Sequence, residues 1–512
     1  MSSGPAPSLV HEIFDEAARR WPHRPAVTSD GVTLTHAELA SAGRRVAARL
    51  TASGVRPGQR VLVGAATSPL LPAVVYAASR AGAVFSLLHE QVRGPQLAHI
   101  LDDSEPALLI SDREQNLASA AGKGVSTVDA RDLARHVFAE GDGGAREGAE
   151  EVPAAGRLTV DPVSMIYTSG TTALPKAVVG THQQVLFAAD AIQRVLRYRP
   201  DDTVYSPLPL SFDYGLYQLF LGALSGAHVW LGRPTDIGPP LLTHLARSRA
   251  TVLPAVPSVA DALARLLHRS GRSNHELRLL TNTGAAMPQQ TLEELRSACP
   301  NLRVQLMFGL TECKRATIMP VDGDLARPGS SGRALPGTEV FVVDEEGERQ
   351  PPGTAGEIAV RGPHVMSGYW RRPELTARRF PRREGLFPEL RTGDYGWLDD
   401  EGYLYVTGRR DDLYKAGGFR VSAAEVEAAA RRVPGVRTAA LLPPGAGRPP
   451  LLFVTGEVTA AGVLHAMREQ IEEFKIPSHC SVLDTLPLTG NGKVDRKALA
   501  ASALEAHDAR PQ

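Results

Sequence analysis

The sequence predicts an α/β protein: a large N-terminal domain of mainly parallel sheets flanked by helices plus a small β unit, followed by a small C-terminal α+β domain. Strand-like apolar runs alternate with helical patterns from Leu9 to Asp112, the succession that builds parallel sheets. After Asp344 the pattern changes to short strands and Gly-rich turns, and the chain beyond Ala423 alternates helix and strand again. At 512 residues the chain also exceeds what one ordinary hydrophobic core holds.

The first helix is read from Leu9, Val10, Ile13, Phe14, Ala17, Ala18 and Trp21, which share one face until Pro22 stops it. A strand at Val32 to Leu34 follows, then Thr35 and Glu38 at capping-box spacing for a helix beginning near His36. Arg60 to Ala66 reads as a buried strand, succeeded by a small-residue helix up to Gly82 and a strand at Ala107 to Asp112. From about Glu140 to Gly156, Gly, Ala, Glu and Arg without periodicity predict a mobile surface connection. Glu357 to Val360, Tyr395 to Leu398 and Tyr403 to Val406 fit a small antiparallel unit. The end reads as helix (Ala423 to Arg432), strand (Thr438 to Leu442), Pro/Gly loop (Pro443 to Pro450), strand (Leu451 to Thr455) and helix (Ala461 to Glu473). No internal repeat is present.

Lys+Arg and Asp+Glu both number 56, so the net positive field of a nucleic-acid or anionic-membrane binder is missing. Apolar runs such as Leu70 to Ala78 fall short of the roughly 20 residues a membrane span needs. Met1 to Ser8 lacks a secretory start, so a cytoplasmic location is expected. Cys299, Cys313 and Cys480 form no CxxC spacing, and the histidines form no HExxH pair.

The most informative segment is Tyr167-Thr168-Ser169-Gly170-Thr171-Thr172-Ala173-Leu174-Pro175-Lys176, after the strand-like Val163 to Tyr167. Clustered hydroxyls, a glycine and a following lysine are the parts needed to hold a polyphosphate, and the spacing is not that of a Walker loop. The segment resembles the Ser/Thr/Gly-rich signature of the adenylate-forming superfamily: acyl-CoA synthetases, luciferases and the adenylation domains of nonribosomal peptide synthetases. Members usually carry glycine where this chain has Ala173 and Ala177.

Five further segments follow in that family's order. Phe308-Gly309-Leu310-Thr311-Glu312 is similar to the stretch whose threonine and glutamate meet the α-phosphate and Mg²⁺, a role that suits an oxygen ligand. Gly356 to Gly362 matches a mainly structural segment. Arg391-Thr392-Gly393-Asp394 resembles the ribose-binding turn, with Asp394 accepting from both ribose hydroxyls. Gly408-Arg409-Arg410-Asp411 resembles the junction of large and small domains, which implies Arg409 as a ribose contact and Asp411 as the hinge. Lys415, Gly417, Gly418 and Arg420 fit the loop that replaces the catalytic lysine after the small domain rotates. Leu486 to Arg496 resembles the loop that carries that lysine, here Lys493.

The resemblance implies ATP and Mg²⁺ as cofactors, domains at 1–410 and 411–512 with the second one mobile, and a lysine loop at 486–497. It implies two half-reactions: carboxylate attack on the α-phosphorus to give acyl-AMP, then attack by a pantetheine thiol. Because the match ends near residue 497, any carrier is expected to be a separate protein, and a carrier is expected as acceptor because Asp213 leans toward the peptide-synthetase relatives; CoA is the alternative, and an amine acceptor a further one. Pro207 to Gly215 resembles the start of the acyl pocket, placing Phe212 at a gate and Asp213 where amino-acid-activating members hold an α-ammonium. Ligases without amine substrates share a similar run, so an amine stays one of two readings. Pro254, Thr281, Thr283, Met307, Arg315 and Ala316, with Tyr214 and Tyr217 opposite, would line a pocket for a small polar, cyclic or aromatic acid. Arg315 would meet a second acidic or carbonyl group of the substrate, or pair with Asp213.

Overall fold

The computed structural model describes residues 7–138, 157–168, 175–271, 273–274, 276–383, 387–409, 412–416, 419–445, 448–490 and 492–501; the side chains at 413, 415, 416, 419 and 420 lie outside that description. The expected connection at 140–156 lies outside it too.

The first helix runs Val10–Arg20, with Val10, Ile13, Phe14 and Ala17 buried. The capping box forms as read: Thr35 Oγ1 accepts from the Glu38 N–H at 3.2 Å, and Glu38 Oε2 accepts from the Thr35 N–H at 2.8 Å, starting the helix His36–Ala52. The strand Arg60–Gly64, the helix Leu70–Ala81 and the strand Leu108–Ser111 sit where apolar runs predict them.

Two large sheets share this body. A seven-stranded sheet runs in the order Gly368–Tyr369, Lys176–Thr181, Pro162–Thr168, Val84–Leu87, Arg60–Gly64, Leu108–Ser111, Ser126–Asp129. From Pro162–Thr168 to Ser126–Asp129 its neighbours are parallel, while Pro162–Thr168 and Lys176–Thr181 are antiparallel, so the phosphate-loop candidate connects a hairpin. A nine-stranded sheet has the parallel order Arg303–Phe308, Leu279–Asn282, Val252–Ala255, Thr203–Ser206, His228–Leu231, Pro25–Ser29 at its centre and antiparallel strands on both edges. Helices cover both, and the carboxyl ends of parallel strands offer the usual ligand crevice of such sheets. The fold class expected from the sequence is the one found.

The four-stranded antiparallel sheet Glu339–Val343, Gly356–Arg361, Glu389–Leu398, Leu404–Arg409 follows. Here one local expectation fails. Arg391 to Asp394 is not a free turn but a bulge inside the strand Glu389–Leu398: Ala359 pairs with Arg391 and Glu357 with Tyr395, so the strand carries extra residues, with Gly393 at φ 71°. The bulge takes Asp394 out of the pairing with Gly356–Arg361, while on the other side it stays paired with Arg409.

From residue 412 onward the described chain builds its own core. Val421, Val426, Leu441, Leu452, Val454, Val463 and Met467 pack between the helix Ala423–Arg431 and the sheet Val436–Leu442, Leu451–Gly456, His479–Val482. The expected helix Ala461 to Glu473 is shorter: Ala460–Ala466, then 3₁₀ turns at Met467–Glu469 and Glu473–Lys475. The Arg432 guanidinium donates to the Gln470 carbonyl at 3.2 Å and to its side chain at 3.0 Å, tying the chain there to the end of the helix Ala423–Arg431. Among the described residues no helix is long and apolar enough to cross a membrane.

Candidate active site

The candidate residues converge on the crevice between the two large sheets and the four-stranded sheet. Lys176 opens the second strand of the hairpin and pairs with Thr168, whose hydroxyl donates to the Lys176 carbonyl at 3.4 Å. Its ammonium lies 4.0 Å from the centre of the Tyr369 ring. The Tyr369 hydroxyl donates to Glu312 Oε1 at 2.6 Å, leaving the other carboxylate oxygen available. Burial lowers the Lys176 pKa, and Glu312 opposes that shift. Ser169, Gly170, Thr171 and Thr172 lie outside the described residues.

Gly309 lets the Phe308–Glu312 turn close. A methyl group there would sit 2.1 Å from the Lys314 carbonyl oxygen and 2.8 Å from the Arg315 Cα, backbone that a side-chain rotation cannot move. Gly309→Ala is expected to lower stability by roughly 1–3 kcal/mol, the scale of overpacking, read as a depressed Tm.

Asp394 pairs across the sheet with Arg409, whose Nε stands 3.5 Å from Oδ1. Its Oδ2 is buried and has no hydrogen-bond partner. Burial raises the Asp394 pKa, and Arg409, Arg379 and Lys493 pull it back down. A buried carboxylate oxygen without a partner fits a group presenting hydroxyls, such as a ribose.

Phe212 is the N-cap of the helix Asp213–Ser225, so Asp213 occupies its first turn, where the helix dipole favours a negative charge. Asp213 is buried and accepts from Arg315 Nη1 at 3.3 Å and from the Thr311 hydroxyl at 3.4 Å. The pairing of Arg315 with Asp213 is therefore the alternative that forms. Arg315 also donates to the Lys314 carbonyl at 2.7 Å and stacks 4.5 Å from the Tyr214 ring, while its Nε is unpartnered. The Tyr214 hydroxyl meets the Thr281 carbonyl and hydroxyl, both at 2.7 Å. Pro254 pairs in register with Thr281, and Met307 and Ala316 are buried nearby in the chain. Tyr217 and Thr283 each hold a buried hydroxyl without a partner. The walls are packed, and the cavity lined by Leu88, Glu90, Pro209, Leu210 and Ser211, just ahead of Phe212 in the chain, is only about 20 Å³.

Lys493 comes from a hairpin in which the Thr489 N–H donates to the Lys493 carbonyl at 2.7 Å and Leu488 bridges Val494. Its ammonium stands 5.8 Å from the Phe212 ring centre, and its Cε lies 3.1 Å from where a Cβ on Gly284 would be. Lys493 stays exposed to the solvent of the crevice, yet the surrounding protein lowers its pKa by desolvation. Arg409 adds to that shift, while Asp213 and Asp394 oppose it. One ammonium is thus within electrostatic reach of both the acyl-pocket carboxylate and the candidate ribose carboxylate.

Lys415 lies in the strand Leu413–Ala416, paired in register with Arg420; its side chain and Asp411 lie outside the description. Sequence reasoning missed Tyr369, which orients Glu312, and Lys314. The latter is 1% exposed, sits at φ 64° and donates to the Thr311 carbonyl at 2.9 Å. Nothing in a single sequence separates a buried lysine from the surface lysines that dominate its type.

Among the described residues no three His, Cys, Asp or Glu side chains form a metal cluster. Glu312 offers one hard oxygen donor, a set that fits Mg²⁺ bound largely through substrate phosphates.

The family described as "AMP-binding enzyme" matches residues 14–370. Feruloyl-CoA synthase from Amycolatopsis sp is 31% identical over 93% of this chain and 95% of its own length. L-proline--[L-prolyl-carrier protein] ligase from Pseudomonas fluorescens is 31% identical over 96% and 99%. Tyrocidine synthase 3 from Brevibacillus parabrevis is 28% identical, and the chain spans only 8% of its length. Among solved structures, VinN with L-aspartate has a TM-score of 0.71 and 37% identity over 78% of this chain and 98% of that one. O-succinylbenzoate coenzyme A synthetase from Bacillus subtilis, in complex with ATP and magnesium ion, has a TM-score of 0.81 and 28% identity over 95% and 99%.

Proposed function

Because the chain belongs to the AMP-binding enzyme family, whose members are ATP- and magnesium-dependent AMP-forming ligases, we propose that it activates a small polar, cyclic or aromatic carboxylic acid, amino acids included, as acyl-AMP and passes the acyl group to the phosphopantetheine of a separate carrier protein. The observation that carries the reading is the reach of Lys493 into the crevice, with its ammonium 5.8 Å from the Phe212 ring centre and its Cε against Gly284.

Bound ATP with Mg²⁺ supplies an electrophilic α-phosphorus and a pyrophosphate leaving group. Asp394 and Arg409 hold the ribose, Lys176 and the 168–172 loop hold the phosphates, and Glu312, oriented by Tyr369, offers its free oxygen to the cation. Lys493 offsets charge as the acid's carboxylate approaches the phosphorus, with Thr311 beside it. In the second step residues 411–512 turn about Asp411 against the 1–410 body, Lys493 withdraws and the Lys415 to Arg420 loop takes its place. Packed walls around Tyr214 and Tyr217 favour a small acid.

The relationship to a prolyl-carrier ligase and to VinN with L-aspartate supports an amino acid and a carrier. A second reading, transfer to free CoA, is favoured by the full-length match to a feruloyl-CoA synthase. Pyrophosphate release over a panel of amino, hydroxy and aromatic acids finds the acid. Mass detection of acylated carrier against acyl-CoA then decides the acceptor, and robust turnover with CoA alone overturns the carrier.

The charges also set a pH profile for the adenylating half-reaction. Lys493 acts as the cation, and its lowered pKa brings the alkaline limb below that of a free lysine. Asp394 acts as the anion, and its raised pKa brings the acid limb up. Arg409 depresses both groups, so Arg409→Met is expected to move both limbs to higher pH in kcat for pyrophosphate exchange. Movement of one limb alone would separate the two assignments.

A further inference from the structure

The lysine loop is seated in the crevice at three points, each on a different segment at the carboxyl end of a parallel strand. Gly490 faces His89, in the turn after Val84–Leu87: a methyl group on Gly490 would lie 2.6 Å from His89 Nε2 and 2.9 Å from its Cε1. Gly492 faces Ser258, in the first turn of the helix Pro257–Ser270 after Val252–Ala255, with the hydroxyl oxygen 2.6 Å from such a methyl. Lys493 itself lies over Gly284, just past Leu279–Asn282.

His89 cannot simply swing away. Its Nδ1 accepts the Gln91 N–H at 3.2 Å, which fixes the ring and puts the proton on Nε2. Neither His89 Nε2 nor Ser258 Oγ has a hydrogen-bond partner. The loop is therefore held there by shape alone. That suits a part which must leave after each adenylation, since departure breaks no hydrogen bond at these two points.

We propose that His89 and Ser258 are positioning residues that seat the Thr489–Lys493 loop for adenylation, and that Gly490 is a glycine because the seat leaves no room for a side chain; Gly492, at φ 73°, is held to glycine by its backbone as well. The inference rests on the reading of Lys493 as the adenylating lysine. Neither seat residue acts on the substrate; each acts through where Lys493 is held.

The test uses the full chain, the acid with the highest pyrophosphate release, its synthetic adenylate, and pantetheine as the thiol. Gly490→Ala is expected to slow acyl-AMP formation about tenfold or more, the scale of a displacement near 1 Å. It should leave thioester formation from the supplied adenylate within about twofold of wild type, as a displaced loop affects only the first step. His89→Ala removes the obstruction, so His89→Ala/Gly490→Ala is expected to adenylate faster than Gly490→Ala alone. Should Gly490→Ala not fold, Ser258→Val, which crowds Gly492 from the other side, carries the same expectation of a selective loss. Equal loss in both half-reactions, or no recovery in the double variant, overturns the seat. A Lys493→Ala control run alongside separates the two ideas: if it leaves adenylation intact, the reading of Lys493 fails; if it is selective and the seat variants are not, only the seat fails.

Discussion

Lys493→Ala is expected to slow acyl-AMP formation roughly 10²- to 10³-fold while sparing thioester formation from preformed acyl-AMP, the usual scale for losing one charge-stabilising donor in a preorganised site. Lys493 sits in a crevice where desolvation already lowers its pKa, so its charge is less screened than on an open surface. Asp213 and Asp394 stabilise the charged form from two sides. An approaching carboxylate and phosphate would add more negative charge around the same ammonium. Among the described residues the neighbouring cations are already engaged: Arg315 by Asp213 and the Lys314 carbonyl, Lys314 by the Thr311 carbonyl, and Arg409 by Asp394. Comparing pyrophosphate exchange with single-turnover thioester formation isolates the effect. Equal loss in both half-reactions would sink the two-arrangement mechanism.

Much of this site is legible in the sequence because its parts are local. The capping box at Thr35, the strand that leads into the loop before Lys176 and the order of the later motifs depend on residues a few positions apart. The Gly393 bulge is not, because a Thr-Gly-Asp run has the same composition in a turn and in an irregular strand, and only the Gly356–Arg361 partner decides. The helix stops at Ala466, and the chain just beyond it is met at Gln470 by Arg432, 38 positions away. Tyr369 meets Glu312 across 57 positions, and His89 meets a loop near the other end of the chain. Such pairs are set by tertiary packing, which leaves no periodic trace.

Arg315→Met is expected to destabilise the protein by roughly 3–5 kcal/mol, because it leaves the Asp213 carboxylate buried without its cation. The pair is 3.3 Å long with both side chains about 3% exposed, so water cannot replace the lost partner. The Thr311 hydroxyl at 3.4 Å is a weak substitute, and Lys314 already donates to a carbonyl. Asp213→Asn/Arg315→Met removes both charges and should recover most of the loss in a thermal melt, since apolar replacement of an entire buried pair is often close to neutral. A single variant costing under about 1 kcal/mol would mean that solvent or substrate, not Asp213, satisfies Arg315. The double variant also separates the two roles of Asp213. If Asp213 holds a substrate ammonium, the folded double variant has a raised KM for the amino acid and an unchanged KM for the same acid lacking its amine. If the pair only fills the pocket floor, both KM values shift together.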